Sequence, residues 1–172
     1  MLFRSRKTLI LSLEKYKLSP KLIAFELTES SMLDEDGVAQ AELCKLRKLG
    51  IELEIDDFGT GYSSLSYLHR LPIQELKIDQ SFVRDLLGDQ RSAAIVNSIV
   101  MLAHSLDLNV VAEGVETEAQ LHCLRDLSCD EFQGFLMSPP VPADQLTSIL
   151  GQNHSRRLVP RTLERLSSSG RR

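Results

Sequence analysis

The spacing of apolar positions changes several times along the chain, and the changes mark out alternating elements. The runs LIAFELTE (22–29), IELEIDDF (51–58), IQELKID (73–79), NVVAEGVE (109–116) and DEFQGFLM (130–137) have the short length and the β-branched or aromatic content of strands. Between them the spacing lengthens to three and four residues, as on a helix. Leu9, Leu13 and Tyr16 line one helical face, and Ala39, Leu43 and Leu46 a second, with Gly50 placed to end it. Ile95, Ile99, Leu102 and Leu106 define a third, and Thr117 with Gln120 forms a capping-box pattern ahead of Leu121 and Leu124 in a fourth.

A helix followed by five strands with helices between them predicts βα units and a parallel sheet. A doubly wound sheet and a (β/α)8 barrel both satisfy that order. The polar residues separate them. Each run carries ionisable or amide side chains toward its C-terminal end: Glu26 and Glu29, Asp56 and Asp57, Lys77 and Asp79, Glu113 and Glu116, and Gln133. A barrel gathers its strand ends around one mouth. A dinucleotide-binding sheet calls instead for G-x-G-x-x-G after its first strand, which the sequence lacks. A complete barrel takes about 250 residues. The expected fold is therefore α/β, a partial (β/α)8 TIM-like barrel comprising roughly the last five βα units, over residues 8–150. Residues 1–7 carry little pattern and are expected to be a non-native or disordered start, and the Arg- and Ser-rich residues 151–172 a disordered tail.

Composition narrows the function. With 42% hydrophobic residues in 172, the chain supplies one sizeable core. A net charge of -4 argues against a nucleic-acid polymer or a membrane surface as partner, since either needs a basic face. An anionic substrate then needs a local cation or a metal. Cys44, Cys123 and Cys129 are odd in number and lack C-x-x-C spacing, which suggests neither a disulfide framework nor zinc. No run approaches the roughly 18 apolar residues of a membrane span. The expected location is the cytoplasm, or a cytoplasmic domain of a membrane-anchored protein.

If Glu26, Asp56, Asp57, Lys77 and Glu113 converge, their carboxylates raise one another's pKa unless cations compensate. Mg²⁺ or Mn²⁺, ligated by carboxylate oxygen, is the natural compensation. His69, His104, His122 and His154 fall on helices, loops or the tail and are read as surface residues. Adjacent side chains on an extended strand point to opposite faces, so Asp56 and Asp57 share a site only if the strand breaks between them and the loop. Two metals about 3.5–4 Å apart would suit such a pair. Lys77 would then orient a water and stabilise an anionic transition state, and Glu113 would bind metal or accept a proton. Taken singly, Asp-Asp is a turn or helix-start signal, Lys77 or Glu113 is half of a salt bridge, and Gly59 and Gly61 are turn glycines. Joint placement at four strand ends favours a functional site.

The segments FELTES (25–30), IDDFGTGYSSLSYLHRLPIQELKIDQSFV (55–83), AIVNSIVMLAHSLDLNVVAEGVET (94–117) and CDEFQGFLMSPPVP (129–142) resemble the EAL domain of bacterial cyclic di-GMP phosphodiesterases. The resemblance implies a (β/α)8-like barrel that hydrolyses cyclic di-GMP to pGpG with two Mg²⁺ or Mn²⁺ ions. By position, it assigns Glu26, Asp56, Asp57 and Glu113 to metal, Lys77 to the attacking water, Glu29 to anchoring the following loop, and Gln133 to the site's edge. Gly59, Thr60, Gly61, Tyr62 and Ser63 match a loop that couples metal and substrate binding to dimerisation. The implied partners are cyclic di-GMP, a second copy of the domain, and an upstream sensory or diguanylate cyclase domain.

The sequence departs from the family at Gln80 and Pro139, where basic residues are common, and neither the Glu-Ala-Leu motif nor the N-x-S Asn of the family's earlier strands stands ahead of FELTES. Both would ligate the first metal, so the chain alone is expected to be nearly inactive. A catalytically silent EAL-like module that senses cyclic di-GMP or binds protein partners is the alternative. A Mg²⁺-dependent lyase with Lys77 as base is disfavoured, because it leaves Asp56-Asp57 and its loop without a role.

Overall fold

The protein is described by a computed structural model over residues 2–28, 38–61 and 68–152. A first compact unit ends at Met137. It contains α1 (Leu2–Tyr16), a 3-10 turn (Pro20–Leu22), β1 (Ala24–Thr28), α2 (Val38–Lys48), β2 (Glu52–Phe58), β3 (Glu75–Ile78), α3 (Gln80–Asp85), α4 (Gln90–Ser105), β4 (Asn109–Ala112), α5 (Glu118–Asp126) and β5 (Glu131–Phe132). A second unit begins at Ser138 and contains α6 (Ala143–Gln152).

All four strand pairings are parallel, and the spatial order is β1-β2-β3-β4-β5. A doubly wound sheet reverses direction at a switch point. These strands instead step one way throughout, as the wall of a barrel does, and that choice was the one the sequence left between two architectures. The strands alternate in the manner of a sheet with two different faces. Leu53 and Ile55 of β2, Leu76 and Ile78 of β3, and Val110 and Ala112 of β4 are buried, each at 0% exposure. The intervening positions are Glu54 and Asp56 on β2 and Glu75 and Lys77 on β3. One face therefore builds the core with the helices, while the other presents ionisable groups. Each Leu or Ile fully removed from water contributes about 1.5–3 kcal/mol, so the apolar face drives formation of the sheet.

All five predicted strands are present, but several are shorter than their apolar runs: β4 stops at Ala112 and β5 at Phe132. The residues beyond, Glu113 and Gln133, stand past the last ladder positions. On α4 the buried stripe is Val96, Ile99, Val100 and Ala103, while Ile95 is 39% exposed. This rotates the predicted face by one position. The helix is apolar on more than one side, so periodicity alone selected the wrong one of two neighbouring stripes, and packing on β3 and β4 selects the other.

Four helix ends share one local arrangement. At α2, the Ile51 N–H bonds to the Leu46 carbonyl at 3.3 Å and the Gly50 N–H to the Arg47 carbonyl at 2.9 Å, with Gly50 at φ +94°. The same pair of bonds closes α1, α4 and α5, with Lys17, Asp107 and Ser128 in the left-handed position. Without glycine, those three stops carry no sequence signal. The capping box at α5 forms as its residues predict. α1 reaches back to Leu2, and residues 153–172 of the expected tail lie outside the described residues, as do Glu29, Tyr62 and Ser63. Among the described residues, no helix is long and apolar enough to cross a membrane.

Candidate functional site

The C-terminal ends of β1 to β4 bring one residue each to a common point. Lys77 Nζ lies 2.7 Å from Glu26 Oε1, 3.1 Å from Asp56 Oδ1 and 2.6 Å from Glu113 Oε1. Its side chain is 6% exposed. From the end of β5, Gln133 Nε2 donates to Glu113 Oε1 at 2.7 Å and holds that carboxylate from the other side.

Asp57 joins the group because β2 breaks where the aspartates meet. The β2–β3 register shifts between Ile55 and Phe58, and Asp57 takes φ 54°. Aspartate tolerates this left-handed conformation better than most residues, and the irregularity re-aims one side chain without shifting its neighbour. Carboxylate oxygens of Asp56, Asp57 and Glu113 consequently lie within 4.8 Å of one another. Thr60 Oγ1 secures the turn by donating to the Asp57 carbonyl at 2.9 Å. Gly59 leaves room for α3, since a Cβ there would lie 2.9 Å from Phe82 Cε2.

The charges are unbalanced, with four carboxylates around one ammonium. Burial opposes the charged form of Lys77, but the hydrogen bonds it donates to Glu113, Glu26 and Asp56 more than reverse this and hold its pKa above the ordinary lysine value. Burial also raises Glu113, against the pull of Lys77 and with repulsion from Asp56 and Asp57. Asp57 is raised by desolvation, then by the charges of Asp56 and Asp79. Asp56 Oδ1 is buried and, among the described residues, meets the Lys77 ammonium at 3.1 Å, an ammonium already shared with Glu26 and Glu113 at shorter distances. An all-oxygen donor set, an excess of negative charge and a buried carboxylate oxygen with only a share of one ammonium fit a hard divalent cation.

Asp79 has a role that the sequence reading did not assign. Its carboxylate caps α3, accepting from the Ser81 N–H at 2.9 Å and from Ser81 Oγ, and its charge adds to that of Asp56 in raising the Asp57 pKa. The Asp-x-Ser cap pattern was its only available signal. Of the histidines, His104 is not an isolated surface residue: its Nε2 lies 2.8 Å from Asp130 Oδ2, which also accepts from the Val110 N–H.

Below the site, the same sheet face carries Glu54, Glu75 and Glu131. Burial, with repulsion from Glu54, Glu131 and Glu52, pushes Glu75 up to about 7. Folded Glu75 keeps its proton where an unfolded glutamate near 4.5 loses it, so stability falls as pH rises from 4.5 to about 7. Glu75→Gln is expected to raise unfolding free energy by about 1–2 kcal/mol above that window, after a discount for partial exposure, and to change it little below. Urea unfolding across this pH range checks it, and a pH-independent difference between variant and parent would contradict it.

Residues 6–140 match the family described as the EAL domain. The chain belongs to the EAL domain family. Among curated relatives, it is 48% identical over 135 residues to the bifunctional diguanylate cyclase/cyclic di-GMP phosphodiesterase MucR of Pseudomonas aeruginosa, covering 78% of this chain and 20% of MucR. It is 45% identical over 139 residues to the cyclic di-GMP phosphodiesterase NbdA of the same organism, covering 81% of this chain and 18% of NbdA. Among solved structures, the MucR phosphodiesterase in complex with c-di-GMP aligns with a TM-score of 0.78 at 46% identity, over 81% of this chain and 57% of that one. Klebsiella pneumoniae BlrP1, in a manganese and cyclic di-GMP complex, aligns at 0.73 and 38% identity, over 80% of this chain and 35% of that one. This EAL chain thus spans a minor part of its curated relatives and somewhat over half of the MucR phosphodiesterase structure.

Proposed function

We infer that this EAL chain carries one wall of a metal-dependent cyclic di-GMP phosphodiesterase site, whose reaction opens the cyclic dinucleotide to pGpG. The observation that supports this most directly is the convergence of Glu26, Asp56, Asp57, Lys77 and Glu113 at adjacent strand ends. Asp56, Asp57, Glu113 and Glu26 would hold Mg²⁺ or Mn²⁺, which when bound lowers the pKa of water and offsets charge on a phosphodiester. Lys77, held protonated, places a fixed positive charge where phosphoryl oxygens gain negative charge. Glu113, its pKa raised and its orientation set by Gln133, is suited to accept a proton from the attacking water. Water adds to phosphorus, the ribose oxygen leaves with a proton, and one of the two phosphodiester bonds is cut.

Glu29, Tyr62 and Ser63 keep their proposed supporting roles, as do Gly59, Thr60 and Gly61. Self-association is supported by an apolar groove of about 290 Å³ lined by Gly59, Ala94, Ile95, Ser98, Ile99 and Leu102, beside the Asp57 turn. A diguanylate cyclase domain upstream of this segment is supported by the bifunctional MucR relative.

A graft tests the reading. Residues 6–140 are placed into the MucR phosphodiesterase in exchange for its matching segment, and hydrolysis of cyclic di-GMP is followed with Mn²⁺. The chimera is expected to retain activity within about tenfold, to lose it with Asp56→Ala, and the 172-residue chain alone to stay near background. A folded chimera that binds cyclic di-GMP without cutting it would favour the silent sensing module instead.

A further inference from the structure

Gln120 is 7% exposed and its amide bonds two segments outside its own helix. Its Oε1 accepts from the Glu116 N–H at 2.9 Å, the Thr117 N–H at 3.0 Å and Thr117 Oγ1 at 3.1 Å. Its Nε2 donates to the Val83 carbonyl at 3.1 Å, 37 residues away in the chain. The contacts with Thr117 complete a capping box. The bond to Val83 is not required by capping, because it leaves α5 and reaches α3.

Those two elements flank the site. α3 packs Phe82 against Gly59, two residues after Asp57, and begins after Asp79, whose charge acts on Asp57. Residues 113–116 carry Glu113 and are held by the Glu113 N–H on the Ile78 carbonyl at 3.2 Å and the Val115 N–H on the Gln133 carbonyl at 3.1 Å. The segment and α3 touch at Gly114, where φ is +68° and a Cβ would lie 2.7 Å from Gln80 Cβ. They are tied a second time, at the far end of α3, by Gln120. Two separate points of attachment fix both the distance and the relative rotation of two rigid pieces.

The geometry points to Gln120 as a positioning residue that sets the placement of Glu113 relative to Asp57. It touches neither carboxylate and acts through α3 and residues 113–116. The inference rests on the reading of Asp57 and Glu113 as a divalent-ion site. It concerns pre-organisation: ligands held in place by their surroundings lose less entropy on binding, and removing such support typically costs 10–100-fold in metal affinity for directly bonded partners.

Two variants of the full chain separate positioning from capping. Gln120→Met keeps length and apolar bulk but removes every bond of the amide. Thr117→Val removes the hydroxyl that accepts the Gln120 N–H, yet leaves the amide on Glu116 and Val83. Urea unfolding confirms that both are folded, and Mn²⁺ alone is the probe. Gln120→Met is expected to weaken Mn²⁺ binding about five- to tenfold and Thr117→Val less than about twofold. Equal affinities for the two variants would overturn the inference. Residual dipolar couplings of the Asp57 and Glu113 amides supply a readout without metal. They are expected to change in Gln120→Met and to hold in Thr117→Val. If the unaltered chain binds no Mn²⁺, the ion-site reading fails, and unchanged couplings in Gln120→Met would then overturn the positioning role separately.

Discussion

Lys77→Met is expected to destabilise the metal-free protein by about 2–4 kcal/mol at neutral pH, because it leaves the partly buried carboxylates of Asp56 and Glu113 and the exposed one of Glu26 without their counter-ion. Lys77 is 5% exposed and bonds three carboxylates from three different strands. Methionine matches the stem but supplies no charge, and the repulsion among Glu26, Asp56 and Glu113 is then unopposed. The pH dependence has a definite sign. Folded Lys77 holds its proton more tightly than the ordinary value of 10.5, so its contribution is complete below that value and fades only above it. Glu113, already raised, rises further in the variant, so the defect shrinks as pH falls and Glu113 protonates. Saturating Mn²⁺ is expected to restore part of the loss by replacing the missing positive charge. Urea midpoints measured with and without Mn²⁺ over a pH series report all three effects, and an unchanged midpoint at neutral pH would refute the account.

Asp56→Asn is expected to separate metal affinity from metal-free stability. The substitution keeps shape and removes one negative charge from a crowded group. Lys77 retains Glu26 at 2.7 Å and Glu113 at 2.6 Å, so stability without metal is expected to change by less than about 1 kcal/mol. Mn²⁺ affinity is expected to fall by about 100-fold or more, since the buried Oδ1 loses the charge that would ligate the ion. At an ion concentration of roughly 100 times the parent's Kd, the parent gains about 2.7 kcal/mol from binding and the variant gains less than about 0.5 kcal/mol. Thermal scans with and without Mn²⁺ make the comparison. Equal metal-induced shifts in both proteins would remove Asp56 from the ion site.

Each element that announced itself in sequence did so through a local signal. The alternation in β2 and the Thr117–Gln120 cap depend on neighbours within one turn or one strand, and both formed as patterned. The ends of α1, α4 and α5 were not announced, because Lys17, Asp107 and Ser128 occupy the left-handed position for the sake of the chain that follows. The buried face of α4 was ambiguous for a different reason. Ile95 and Val96 are equally apolar, and only contact with β3 and β4 decides which of them faces inward.

The same division holds in the site. Residue type and position were enough to place Glu26, Asp56, Lys77, Glu113 and Gln133 at the C-terminal ends of successive strands, since strand period and parallel order determine where a terminal side chain goes. The Asp57 break was foreseeable from two adjacent carboxylates, while its means, a bulge with φ 54° held by Thr60, was not. Lys77 paired with three carboxylates and Gln120 bonded to Val83 join residues far apart in the chain. Such bonds depend on inter-strand register and helix placement, which arise from packing the whole apolar face at once. The sequence by itself determined the alternation of elements and the chemistry available at the strand ends; the tertiary structure decided which of those groups share a charge, a proton or a brace, because those distances exist only after the sheet has closed on its helices.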